Sequence, residues 1–246
     1  MFLPRLVLVH GSLVGGRATW REQRRGLAGE AELVVLERPG FEPSEPGEPE
    51  RVPRVDFEEH ALWVAERLDV GDHLVGHSYG GVVALLAAAL APGRPASLTV
   101  IEPPATRVAL EVPSVRAFAR GGEELWANGP REDPEAFMRR FLAAVGSDFD
   151  PPTPLPPHLL HGARLLAAER GPWEAEIPLA RLAALGLPTL VVTGGHHPAF
   201  EAIADTLERA LSAERLVLPG YGHSVQLHPE FNGALLDFVG SAAGRR

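Results

Sequence analysis

The 246 residues are 45% hydrophobic and 22% charged, an average globular usage that excludes disordered and fibrous classes and leaves enough apolar material for a sizeable core. With 32 acidic against 23 basic side chains the formal net charge is -9, which disfavours nucleic acid and anionic membrane surfaces as partners. No cysteine is present, so disulfides, thiolate metal sites and a cysteine nucleophile are excluded.

The segment Met1–His10 lacks the basic start and apolar length of a signal peptide and reads instead as a strand over Arg5–Val9; a cytoplasmic location is expected. No apolar run approaches the ~20 residues of a membrane span. Further along, β-branched or Leu-rich runs at Leu33–Leu36, His73–Val75 and Leu98–Ile101 alternate with amphipathic stretches at about 18–28, 57–68 and 80–91. The interval from Pro103 to Pro178 breaks this rhythm. It holds 12 of the 24 prolines and shows helix patterns at 134–145 and 157–169 around an irregular, stiff link at 148–157. The alternation then resumes with strands at Thr189–Thr193 and Arg215–Leu218 and helices at about 200–211 and 229–239.

Most of these strands are continuously apolar, as strands covered on both faces are. The expected fold is therefore α/β: a doubly wound, mostly or entirely parallel sheet of about six strands, with helices on both faces and an inserted helical cap. Residues 1–103 and 178–246 form the expected core domain and 104–177 the cap.

The chemistry-bearing motifs lie where the strands end. After the first strand comes His10-Gly11-Ser12, whose glycine lets the loop backbone approach a neighbour closely. His10 reads as a buried, hydrogen-bonded residue that shapes this loop. Glu37-Arg38-Pro39-Gly40-Phe41 follows the second strand and reads as structural.

The third strand leads into Gly76-His77-Ser78-Tyr79-Gly80 and then an Ala/Leu/Val-rich helix. A G-x-S-x-G in that strand–turn–helix setting strains the serine backbone and lifts its hydroxyl out of the sheet edge, marking Ser78 as nucleophile. A hydroxyl needs a base beside it and an oxyanion needs fixed N–H donors. The glycine-flanked loop Leu218–His223 after the last strand offers His223 as that base, and the Ser12 and Tyr79 backbone N–H groups are the expected oxyanion pair.

HGS at 10–12, GHSYGG at 76–81 and PGYGHS at 219–224 together resemble the α/β-hydrolase superfamily, over nearly the whole chain. The resemblance is to its compact esterase, lactonase and C–C-bond hydrolase branch, in which a helical cap is inserted where 104–177 lies. It implies a shortened six-stranded sheet here, because little chain precedes the HG strand. It also implies an acidic residue in the loop after Thr189–Thr193, yet that loop reads Thr193-Gly194-Gly195-His196-His197-Pro198, with His197 where aspartate is expected. Some members carry the acid one strand earlier, and Leu98–Ile101 ends in Glu102-Pro103-Pro104, so Glu102 is the expected third member; Glu201 and Asp205 are weaker options.

The expected function is a serine hydrolase acting on small-to-medium esters through an acyl-enzyme on Ser78, with a small-molecule substrate and no cofactor. Leu13, Phe118, Trp126, Phe137, Phe141 and Trp173 are the candidate pocket residues. Lactone or C–C-bond hydrolysis would use the same site; a lyase, a cofactor-free oxygenase or a receptor without turnover are the readings outside hydrolysis. No metal is expected: His196-His197 and His158/His161 have neither a metalloprotease spacing nor an acidic cluster to complete a site.

Overall fold

A computed structural model describes residues 3–42 and 52–244. The expected core segments thus lose residues 1–2, 43–51 and 245–246, which lie outside the described residues. Six strands form one sheet: β1 (Arg5–Val9), β2 (Glu32–Leu36), β3 (Asp72–His77), β4 (Pro95–Ile101), β5 (Thr189–Thr193) and β6 (Glu214–Val217). Their order is β2-β1-β3-β4-β5-β6, and every neighbouring pair is parallel.

The chain runs outward from β1 to β2, returns to β3 on the other side of β1, and then proceeds outward in the opposite direction. The carboxyl ends of β1 and β3 therefore flank the point where the winding reverses, the place where open parallel sheets leave a crevice. Ser12 and Ser78 follow those two strands.

Ten α-helices accompany the sheet among the described residues. They are α1 (Gly16–Thr19), α2 (Arg21–Gly26), α3 (Phe57–Arg67), α4 (Tyr79–Leu90), α5 (Pro113–Asn128), α6 (Pro134–Ala144), α7 (Pro157–Ala168), α8 (Leu179–Leu185), α9 (Pro198–Leu211) and α10 (Phe231–Ala243). The two-residue period of β1 divides the core into layers. Val7 and Val9 pack on one face with α3, α4 and α9, while Leu6 and Leu8 pack on the other with Trp20 and the apolar side of α10. A third cluster lies off the sheet, where Phe137, Met138 and Leu142 of α6 meet Leu159, Ala163 and Leu166 of α7 and reach down to Leu13.

Three helix expectations change. The helix expected over 18–28 is two short ones, because the backbone leaves the helical region at Trp20 (φ -101°, ψ 25°) as that side chain turns into the core. The helix expected over 229–239 runs from Phe231 to Ala243. The interval between β4 and β5 also contains α5, which helical patterning missed: Gly121-Gly122 in its middle are poor helix formers. Gly122 has a packing reason, since a Cβ there would sit 2.6 Å from the Trp173 ring.

Candidate active site

Ser78 sits between β3 and α4 at φ 54° and ψ -125°, a conformation that non-glycine residues adopt only when their surroundings impose it. Its N–H donates to the Ile101 carbonyl at 2.8 Å. The flanking glycines are required by close approach rather than by dihedral angle: a Cβ on Gly80 would lie 2.3 Å from the His10 carbonyl oxygen, and one on Gly76 2.3 Å from that of Gly80. Helix α4 thereby starts hard against the end of β1.

The loop after β6 brings His223 to Ser78. His223 Nε2 lies 2.8 Å from Ser78 Oγ, and His223 Nδ1 lies 3.3 Å from Glu102 Oε2. A neutral ring protonated at Nδ1 donates to the carboxylate and accepts from the hydroxyl, the orientation that proton transfer from serine requires. His77 holds the loop by donating from Nε2 to the His223 carbonyl at 2.9 Å. Burial is the main force pushing His223 down to about 3, with the neighbouring His196 and His197 adding to it. The ring is therefore neutral.

Glu102 extends the ladder of β4, its N–H donating to the Val192 carbonyl at 2.9 Å, and it also takes a left-handed φ of 49°. Its side chain is fully buried, and the Gly194 N–H donates to Oε1 at 2.7 Å. Desolvation raises this carboxyl to about 7, opposed first by the Gly194 N–H and then by the nearby histidines. His196 is the closer of these: its Nδ1 lies 3.8 Å from Oε1 while its Nε2 donates to the Val145 carbonyl at 3.0 Å.

His197 does something else. It is the N-cap of α9, with Nδ1 accepting from the Ala199 N–H at 3.2 Å. Glu201 accepts from the Gly195 N–H and pairs with Arg215, and Asp205 is exposed. The carboxylate beside His223 is thus Glu102's.

Two spaces meet at Ser78. A small enclosed cavity of about 40 Å³ is bounded by Ser12, Ser78 and Tyr79 below and by Phe118, Trp126, Phe141 and Trp173 above. Its one charged wall residue is Glu169, which sequence reasoning did not single out. A cleft of about 660 Å³ opens on the other side and includes Leu13, His77, Ser78, His223 and Tyr221, with Arg21, Asp148 and His158 also along its walls. Phe137, expected in the pocket wall, lines neither space. It is fully buried with its ring edge-on to Trp126 at 5.0 Å, so the apolar stripe of α6 that carries it faces other helices.

Elsewhere in the loop layer, His10 is fully buried, donating from Nδ1 to the Gly11 carbonyl and accepting the Arg38 N–H at Nε2, and so shapes the loop after β1. Among the described residues, Glu102, His196 and His223 form one group with potential metal-ligand atoms within 4.8 Å of one another. Glu102 and His223 are already engaged with each other, with Gly194 and with Ser78, so a cation there would compete with these contacts.

The sequence model of the alpha/beta hydrolase family matches residues 6–231. The chain belongs to that family. A curated relative is the dihydrolipoyllysine-residue acetyltransferase component of the acetoin cleaving system of Pseudomonas putida, 30% identical over 259 aligned positions that cover 95% of this chain. The chain spans only 63% of that relative's length. Among solved structures, a thermophilic esterase from Thermogutta terrifontis superposes with a TM-score of 0.58 at 22% identity, covering 98% of this chain and 91% of that one. A 2-hydroxy-6-oxo-6-phenylhexa-2,4-dienoate hydrolase from a Rhodococcus strain gives 0.61 at 22% identity, covering 96% and 90%. At these identities the two structures speak for the fold. Within the family, the arrangement of Ser78, His223 and Glu102 can support nucleophilic attack with general-base assistance.

Proposed function

We propose that this member of the family is a serine hydrolase that cleaves small-to-medium carboxylic esters through an acyl-enzyme on Ser78. The observation that carries this reading is the continuous path from Ser78 Oγ through His223 to Glu102, built on a strained turn that presents the hydroxyl to two spaces. His223 Nε2 takes the Ser78 proton as Oγ attacks the ester carbonyl. The new oxyanion is met by the Ser12 and Tyr79 N–H groups, the latter in the first turn of α4, where backbone N–H groups have no intrahelical acceptor. His223, now protonated, gives the proton to the departing alcohol oxygen. Water then repeats the sequence on the acyl-enzyme and restores Ser78.

His223 borders the large cleft and not the small cavity, so the leaving alcohol belongs on the cleft side and the acyl group on the enclosed side. The apolar walls favour uncharged acyl chains. Helices α5–α7 act in this reading as the cap over the acyl group. The test is a short-chain 4-nitrophenyl ester together with a fluorophosphonate. A burst of nitrophenolate and a mass increase on the peptide bearing Ser78 are expected; wild-type protein that gives neither is not a serine hydrolase. Lactone and C–C-bond substrates run beside the ester series separate the other chemistries that the same three residues can perform.

A further inference from the structure

The oxyanion-forming loop is held from above as well as from below. Residues 11–13 follow β1 and make a very tight turn: Leu13 has φ 74° and the Val14 N–H donates to the Ser12 carbonyl at 2.9 Å, the three-residue hydrogen-bonded turn that costs backbone strain. Such strain persists only where the surroundings over-determine it. Here the surroundings are α7. A Cβ on Gly162 would lie 1.7 Å from the Leu13 carbonyl oxygen, so helix and loop backbones touch directly.

Two helical turns further on, at the end of α7, Glu169 Oε2 accepts from Ser12 Oγ at 2.5 Å. Its other oxygen accepts from Arg38 Nη2 at 3.3 Å, and the same nitrogen donates to the Gly11 carbonyl at 2.7 Å. Glu169 is itself fixed to the core, because its two neighbours bracket Val55: the Val55 N–H donates to the Ala168 carbonyl and the Arg170 N–H to the Val55 carbonyl.

The Glu169 and Arg38 side chains are 1% and 0% exposed. An ion pair so deeply buried adds little net stability over apolar residues of the same size, since desolvation offsets its attraction; what it supplies is a unique geometry. We infer that Glu169 is a positioning residue for the oxyanion loop, so that the helical insertion and the sheet together assemble the oxyanion-binding site. This rests on the hydrolase reading above. Burial raises the Glu169 carboxyl while Arg38 and Ser12 Oγ oppose the shift, which suits a carboxylate whose partners are these two groups.

The test is a double-mutant cycle on full-length protein with 4-nitrophenyl acetate, reading kcat and KM separately and the melting temperature alongside. Glu169→Gln removes the charge, and Ser12→Ala removes the hydroxyl while keeping the Ser12 N–H and the Arg38 pair. Each is expected to lower kcat by about 10- to 30-fold with KM changed less than about threefold, a fraction of what losing a whole oxyanion donor costs. In the Ser12→Ala background, Glu169→Gln should lower kcat less than about threefold further, because the Ser12 Oγ contact is the direct link between Glu169 and the loop and the amide can still accept from Arg38. If Glu169→Gln fails to fold, Ser12→Ala carries the test alone, with the same kcat loss at unchanged melting temperature. Wild-type kcat in Ser12→Ala, or losses that multiply in the double variant, overturn the inference. Wild-type protein that neither hydrolyses the ester nor reacts with a fluorophosphonate overturns the hydrolase reading and the inference with it.

Discussion

The sheet and the helical insertion solve different problems. In the sheet, position is fixed by topology: Ser12, Ser78, Glu102, Gly194 and His223 all follow carboxyl ends of parallel strands, and register along the ladder decides which of them meet. Between β4 and β5 the described residues add no strand to the sheet, only a single bridge of Glu169 to Val55, and the rest is positioned by aromatic packing such as the edge-on contacts of Trp126 with Phe137 and Trp173 at 5.0 and 5.2 Å. In the proposed mechanism the reacting groups come from the sheet edge, and Phe118, Trp126, Phe141 and Trp173 of the segment between β4 and β5 supply the upper wall of the small cavity. Substitutions in the first should change the rate of chemistry; substitutions in the second should change which substrate is accepted.

The largest effect belongs to the nucleophile. Ser78→Ala should reduce ester turnover by about 10⁵-fold or more while leaving the melting temperature nearly unchanged, since it removes only a hydroxyl. Residual activity above about 1% of wild type would move the nucleophile elsewhere. Next comes the acid, where sheet and loop candidates can be set against each other. Glu102→Gln should cost about 10³-fold in kcat, because the amide disturbs the imidazole tautomer and cannot offset imidazolium charge. His197→Ala should cost less than about threefold in kcat and some stability through the lost cap, about 1 kcal/mol. A rate loss confined to the His197 variant would reverse this assignment.

The buried histidines give a pH test of the sheet half. Burial is the first cause holding His60, His77 and His223 down to about 3, and it holds His10 well below its ordinary value. The unfolded chain protonates these rings near pH 6.5 but the folded chain does not, so stability present above 6.5 is lost as pH falls toward 3. Glu102 and Glu169 act in the opposite sense, since raised carboxyls let the folded state bind protons that the unfolded state releases above about 4.5. Four histidines outweigh two carboxyls, and the melting temperature should fall steadily between pH 6.5 and 5. A flat profile there would mean that these rings are charged in the fold. His60→Gln should make the fall shallower, because one proton-binding group leaves the unfolded state.

What the sequence disclosed follows the same division. The parallel six-stranded sheet is readable because short apolar runs alternate with amphipathic stretches, and the inner strands β1, β3, β4 and β5 are covered on both faces. Ser78 stands out through glycines that close backbone approach requires, and His223 through Gly220 and Gly222, whose φ of 97° and 49° lie in the left-handed region. Glu102 was reachable only by combining an apolar strand, a Pro-Pro stop and the missing aspartate after β5. The helical insertion gave less away. The stripe containing Phe137 has the same period whether it faces a cavity or another helix, and Gly121-Gly122 disguised α5. Glu169 was invisible, because its contact with Ser12 joins residues 157 apart and no local pattern records it. Nothing in the motif marks His77, although it donates to the His223 carbonyl and so holds the loop that bears it.

The effect on chain-length preference is the most informative about the insertion. Trp173 is half-buried, packs edge-on against Trp126 at 5.2 Å and closes the small cavity over Ser78. At about 40 Å³ that cavity is small, so the wild-type protein should prefer short acyl esters such as acetyl to longer ones. Trp173→Ala removes the wall and should shift kcat/KM toward butyryl or hexanoyl esters by about tenfold relative to acetyl, about 1.4 kcal/mol, within the 1–3 kcal/mol range of a hydrophobic pocket's discrimination. The rate of fluorophosphonate labelling at Ser78 should stay within about twofold of wild type, since no reacting group is touched. A chain-length profile that does not move would mean that the acyl group occupies the large cleft instead. The leaving alcohol would then lie on the enclosed side, away from the His223 face that must protonate it, and the placement of acyl and alcohol groups proposed for this site would be overturned.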